Sequence, residues 1–268
     1  MHWVWLIISC ALVLGTDKGW ASFAHTEIQQ IEEMLDYAKE GTLFVLDIDN
    51  TLIEPCQHLG SDQWFEHQIT FLKEKGVDHE EAVHAIFPLF TEIQKRTKIR
   101  HVDSTVKKAF IKIKEMGFSA VGLTKRDPSL ALHTVKHLAN VDLDFTPLAP
   151  AYNQEVHKEL GNNLYQDGIV FTSLGAGKGG PLIAYLKHLK AQPSHIVVVD
   201  DKKSNLEQIA QALKTLDIPF VTLRYAGVDD HVTSFDPKIA ALQLDHFQTI
   251  LSNEQAHHLL HLEKNKNP

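Results

Sequence analysis

The chain has two cysteines, Cys10 and Cys56, too few for a disulfide scaffold. It also lacks a cationic excess: 34 acidic against 26 basic side chains give a net charge of −8. Nothing is therefore available to neutralise a polyanion, and nucleic acid is not an expected partner. With only 14 glycines in 268 residues the chain is not collagen-like, and no repeat recurs at solenoid periods. At 44% hydrophobic residues it is too apolar for disorder and long enough for one sizeable α/β domain or a core plus a cap.

Long hydrophobic runs are absent as well. Trp3 to Gly15 is apolar for 13 residues, short of the roughly 18 to 20 that cross a bilayer as a helix. A more polar stretch and Ser22-Phe23-Ala24 follow, with small residues at the −3 and −1 positions of a cleavage site. This predicts a signal peptide over 1–24 and an exported chain, periplasmic or secreted, with no transmembrane helix in its mature form. The segment has no Lys or Arg ahead of its apolar run, so a retained N-terminal segment is the alternative. After cleavage Cys56 has no intrachain partner and is expected as buried filler beside the site.

What the rest of the chain contains is alternation. Four short apolar runs read as strands buried on both faces: Thr42 to Leu46, Ser119 to Leu123, His195 to Val199 and Phe220 to Leu223. Between them lie segments of helical period: Ser104 to Met116, Pro128 to Leu138, Pro181 to Leu189 and Asn205 to Leu216. Strands alternating with helices predict βαβ units. The expected fold is a three-layer α/β sandwich with a five-stranded parallel, Rossmann-like core. An amphipathic helix is expected around Ile28 to Tyr37. Residues 57–100 read as helices only, Asp62 to Lys75 and His79 to Lys95, and form a small cap inserted after the first strand. The core then comprises 25–56 and 101–252, with an irregular stretch over 141–177, a hairpin around Gln166-Asp167-Gly168 and a frayed polar tail at 253–268.

The unusual polar residues sit at strand ends, beyond which ligands bind in open parallel sheets. The first strand runs into Asp47-Ile48-Asp49, whose alternation puts both carboxylates on one side. Like charges that close need a cation or a shared proton. The second ends in Thr124-Lys125-Arg126, Lys178 lies in a Gly-rich loop, and the fourth runs into Asp200-Asp201.

In this order, DxDxTL, a strand-end Thr, a loop Lys and an apolar strand ending in DD, the chain resembles the haloacid dehalogenase (HAD) superfamily. The motifs span Phe44 to Asn205. The resemblance is to its phosphatase branches, and the chain is similar to an uncharacterised HAD-like bacterial family associated with export. It implies Mg²⁺-dependent phosphomonoester hydrolysis, with Asp47 as nucleophile and Asp49 as general acid and base. It further implies that Thr124 binds a phosphoryl oxygen and that Lys178 neutralises charge. The Mg²⁺ site is implied at Asp47, Asp200, the Asp49 carbonyl and Asp201, the last directly or through water. Asn205 would support the loop. The partner is a phosphorylated small molecule or a phosphorylated side chain. An exported HAD-fold binding protein with vestigial turnover, or a phosphotransferase, are the alternatives.

Several residues stay open at this point. Thr124 also suits an N-cap of the Pro128 helix, Lys158 or Lys187 could stand in for Lys178, and Lys125 and Arg126 either face the phosphate or cap the sheet. Selectivity is expected from Gln57, His58, Trp64, Arg100, His101 and Arg126. Of the helical insertion's aromatics, Trp64, Phe65, Phe71, Phe87 and Phe90, most read as core, with one or two flooring the pocket.

Other motifs are refused. Gly175 to Gly180 is no P-loop, because Thr172 and Gly179 stand where Gly and Ser or Thr belong. His79 and His84, five apart, face different sides of a helix and make no zinc motif.

The signal-peptide reading predicts that N-terminal sequencing of exported protein begins near His25. Intact Met1 in that fraction would count against cleavage.

Overall fold

The computed structural model describes residues 26–246 and 252–258. The expected signal peptide at 1–24 and the part of the expected tail beyond 258 lie outside them. The elements run in chain order through β1 (Thr26–Ile28), a 3₁₀ helix (Ile31–Tyr37), β2 (Thr42–Leu46), β3 (Ile53–Pro55), α1 (Asp62–Glu74), α2 (His79–Gln94) and β4 (Ile99–His101). Then come α3 (Val106–Glu115), β5 (Ser119–Thr124), α4 (Ala131–Asn140), α5 (Val156–Glu159), β6 (Leu164–Gln166) and β7 (Ile169–Phe171). The chain continues through α6 (Gly179–Lys187), β8 (His195–Asp200), α7 (Lys203–Leu213), β9 (Phe220–Tyr225), α8 (Asp229–Thr233) and α9 (Pro237–Asp245).

Among the described residues the central sheet has seven strands in the order β1-β9-β8-β2-β5-β7-β6, not five. All neighbours pair in parallel except β6, which returns antiparallel on β7. Three strands show no period because they are only three residues long: β1 ends on the first residue of the expected Ile28 to Tyr37 helix, and β6 and β7 flank the expected hairpin inside the stretch read as irregular. The Gln166-Asp167-Gly168 hairpin joins β6 to β7, with Asp167 and Gly168 both at positive φ.

Alternation along each strand builds the layers. In β2, Phe44 and Leu46 join the cluster that includes Ile31, Met34, Phe110 and Ile113 on one face. Leu43 and Val45 join Leu182, Tyr185, Leu206 and Ile209 of α6 and α7 on the other. A strand wedged between two helical layers has no polar face, which is why its sequence is a continuous apolar run. The result is a three-layer α/β sandwich with a mostly parallel, Rossmann-like sheet.

The helical cap inserted after the first core strand is α1 and α2. It is not helix alone at its base, since β3 and β4 pair antiparallel and bring its two ends together. Ser61 caps α1 by accepting from the Trp64 amide, and Asp78 caps α2 by accepting from Glu80. Leu59, Trp64 and Ile93 pack with Ala240 of α9, so the cap has its own small apolar centre. The expected frayed tail is also corrected in part: residues 253–258 are helical, and Ala256 is buried against Ile239 and Leu242. No helix among the described residues is long and apolar enough to cross a membrane.

Phe44, fully buried and edge-on to Phe118, tests this layering. Phe44→Ala is expected to cost about 3–5 kcal/mol in urea denaturation. A loss below about 1 kcal/mol would contradict the close packing of the sheet on its helices.

Candidate active site

Parallel pairing brings the acidic strand ends together. Leu46 lies opposite Val199 in the β2–β8 register, and the Asp47 amide donates to the Val199 carbonyl at 3.0 Å. Asp47 and Asp200 therefore leave the sheet side by side. Lys178, the residue before α6, reaches both: its Nζ lies 2.6 Å from Asp47 Oδ1 and 2.6 Å from Asp200 Oδ2. It is buried, so its charge is held by these carboxylates and not by water. Lys178 is thus the lysine that reaches the acidic strand ends, whereas Lys158 and Lys187 pair with Glu155 and Glu159 elsewhere.

The surrounding hydrogen bonds fix this geometry. Asp200 Oδ1 accepts from the Lys202 amide and from Asn205 Nδ2, both at 2.9 Å. Thr51 Oγ1 accepts from the Asp201 amide at 3.1 Å and donates to Asp47 Oδ2 at 3.5 Å, tying the two acidic loops together. Thr124, at the buried end of β5, accepts from the Arg126 amide at 3.1 Å. It is not the N-cap of the next turn. Asp127 caps that turn by accepting from the Ser129 amide.

Arg126 does not stand open to a ligand. Its Nε and Nη2 each donate to one oxygen of Asp49 at 2.8 Å, and its Nη1 donates to Thr134. Burial alone would push the Asp49 carboxyl up, but the guanidinium holds it below its ordinary value. Beside it, burial and the Arg126 charge push His137 down to about 4, so that imidazole stays neutral.

Asp47 and Asp201 move the opposite way. Burial first, then the neighbouring Asp200, raises Asp47 to about 7 against the pull of Lys178. Burial and the Asp47 charge raise Asp201 to about 9. Burial would lower Lys178, yet Asp200 and Asp47 keep it above its ordinary value. Asp47, Asp200 and Asp201 can each place an oxygen within 4.8 Å of the others. One ammonium cannot balance three carboxylates. The buried Asn205 Oδ1, with no hydrogen-bond partner, adds an unused oxygen acceptor on the cleft wall. This donor set of hard oxygens fits Mg²⁺. The Asp49 side chain, turned to Arg126, is not one of the three.

A cleft of about 150 Å³ opens over these groups. Asp47, Asp49, Thr124, Lys125, Arg126 and Lys178 line its floor, with Asp201 and Asn205 beside them. Phe65, Phe87 and Phe90 of the cap line its wall, so three of the five cap aromatics reach the cleft where one or two were expected as its floor. Asp62 and Glu66 lie at its rim, where Lys202 bridges cap to core at 2.6 Å from Asp62 and 3.5 Å from Glu66.

Most of the expected selectivity residues lie elsewhere. Gln57, His58 and Arg100 line a separate depression under the β3–β4 pair, where the buried Glu54 carboxylate holds Arg100 and His231. Trp64 is in the cap's apolar centre, and the His101 ring meets the Val141 carbonyl. The β3–β4 pair turns these residues away from the strand ends. Cys56, at the same turn, is exposed and not the buried filler expected. Asp62, Glu66, Asp127, Leu130, Leu174 and Lys202 were not among the expected cleft residues. Of these, Lys202 carried a signal, because it directly follows Asp200-Asp201.

Two carboxyls raised by burial bind protons more tightly folded than unfolded. Metal-free protein is thus expected to lose stability as pH rises from about 4, the unfolded value, through 7 to 9. Added Mg²⁺ should restore Tm at pH 8 and do little at pH 5. A Tm insensitive to both pH and Mg²⁺ would argue against a cation site here.

No solved structure matches the chain. Among curated proteins it is similar to a Chlamydia pneumoniae protein named "Putative outer membrane protein", 28% identical over 96% of this chain and 97% of that one. A Chlamydia trachomatis protein of the same name is 24% identical over 85% and 86% of the two chains. An uncharacterized Rickettsia prowazekii protein is 25% identical over 81% of each. The family model described as "Protein of unknown function (DUF2608)" matches residues 24–257, and the chain belongs to that family.

Proposed function

We propose that this chain is a HAD-type phosphatase: a Mg²⁺-dependent phosphomonoester hydrolase that works through an aspartyl-phosphate on Asp47. The observation that carries this reading is the convergence of Asp47, Asp200, Asp201 and Lys178 at one end of β2 and β8. Asp47, Asp200 and Asp201, with the Asp49 carbonyl, would hold the ion. When bound, Mg²⁺ would supply Lewis-acid stabilisation of charge on the phosphoryl oxygens.

In the first step a carboxylate oxygen of Asp47 attacks phosphorus in line. A bond from that oxygen to phosphorus forms, the ester P–O bond breaks, and the leaving oxygen takes a proton from Asp49. Asp49 then takes a proton from water, whose oxygen attacks the same phosphorus and returns Asp47 as a carboxylate. Lys178 and the Thr124 hydroxyl stabilise the oxygens on which charge is spread. Arg126 must loosen its grip before Asp49 can carry the proton. Lys125 lines the same cleft and adds positive charge.

That grip is also the observation that favours a second reading. A carboxylate with both oxygens held by a buried guanidinium suits a HAD-fold binding protein with little turnover.

Export is part of the proposal. Ser22-Phe23-Ala24 after the N-terminal apolar run reads as a cleavage site, and two relatives, matched over 97% and 86% of their lengths, carry the name "Putative outer membrane protein". The finer reading is a periplasmic or secreted enzyme.

Asp47→Asn is expected to lower Mg²⁺-dependent hydrolysis of p-nitrophenyl phosphate by at least on the order of 10³-fold, with circular dichroism unchanged. Undiminished turnover in this variant would reject Asp47 as nucleophile. Wild-type protein that binds phosphate without turnover would favour the binding reading. Phosphate appearing on an added alcohol instead of in water would identify a phosphotransferase.

A further inference from the structure

The cleft carries more apolar surface than the fold requires. Phe87 on α2, Leu130 just before α4 and Leu174 in the loop before α6 all line it. Leu130 is itself buried core, whereas Phe87 and Leu174 stand outside the apolar clusters found among the described residues. Phe65 and Phe90 complete the wall from the cap, their ring centroids 4.7 Å apart. Phe87 and Leu174 are only half-buried, so their remaining surface faces water in this cleft or a bound group.

The polar groups divide differently. Asp47, Thr124 and Lys178 lie on the floor, where a phosphoryl group would sit. Lys202 takes up the rim acids Asp62 and Glu66, Arg126 takes up Asp49, and Asp127 accepts from the Ser129 amide, while the exposed Lys125 adds a positive charge to the cleft. The apolar wall offers no hydrogen bond to whatever the phosphoryl group is attached to. A sugar's hydroxyls placed against it would give up water without gaining partners. A flat apolar ring loses nothing there.

We propose that the site selects phosphomonoesters of a single aromatic ring, the phosphorylated phenols, held against Phe87 of the cap and Leu174 of the core. This rests on the phosphatase reading above. The ring could belong to a free aryl phosphate or to a phosphotyrosyl residue, and the chemistry recognised is the same.

The test is calorimetric binding of inorganic phosphate, methylphosphonate and phenylphosphonate to the full chain with Mg²⁺. Phenylphosphonate is expected to bind about tenfold more tightly than methylphosphonate, from burial of the ring. That ratio should fall toward one in Phe87→Ala and in Leu174→Ala, two variants on separate elements outside the core clusters. Equal binding of the two phosphonates, or a preference that survives both substitutions, overturns the aryl selectivity and leaves the phosphatase reading standing. No binding by any of the three anions overturns both. In the hydrolytic arm, turnover of phenyl phosphate alone points to a small-molecule substrate. Turnover of a phosphotyrosyl peptide as well points to a side chain. Faster turnover of glycerol phosphate than of either overturns the inference.

Discussion

Everything at the end of this sheet is organised around one buried ammonium. Lys178 lies 2.6 Å from a carboxylate on each side and is closed off from solvent. Burying an unpaired charge of either sign is costly, and removing one partner from such a set typically costs about 3–5 kcal/mol. The three groups therefore hold one another in place. Asp201 breaks the balance, because a third buried carboxylate beside them has no cation of its own among the described residues. Its raised pKa is one response to that excess, and a bound divalent ion is the other.

The fold supplies the convergence by ordinary means. Parallel strands end in the same direction, so residues that follow β2, β5 and β8 meet at one edge. Both sheet faces are sealed by helices, which leaves that edge as the place where polar side chains can emerge. Thr51 and Asn205 then convert proximity into fixed geometry, one by joining the Asp47 and Asp201 loops, the other by holding Asp200. The cap adds the apolar wall, and Lys202 spans the gap between the two parts. One cleft thus has a charged floor and an aromatic side, each drawn from a different part of the chain.

The Asp49–Arg126 pair shows how the same edge can constrain as well as assemble. Two parallel hydrogen bonds in a buried setting are among the strongest polar contacts available to a carboxylate. They place Asp49 accurately but hold it ionised. Whatever chemistry the site performs must work with that clamp or open it.

Much of this was legible in the residue order. The apolar runs ending in Asp47, Thr124 and Asp200 pointed to strands and candidate site together, because a continuous apolar strand that runs into polar side chains is not a solvated face. Periodicity likewise placed α1, α2, α3 and α7. It did not find β1, β6 or β7, which are too short to show a period; only the turn residues at 166–168 marked the last two. Nor could it assign partners. That Arg126 turns to Asp49, that Gln57 and Arg100 face another depression, and that Cys56 is exposed follow from how β3 meets β4 and how the cap seats on the core. Layer order and the acidic strand ends can be read from residue order, since both follow from local pattern. Tertiary structure alone decided which charges touch and which side chains wall the cleft, since contacts between residues 77 or 150 positions apart are set by packing and leave no local mark.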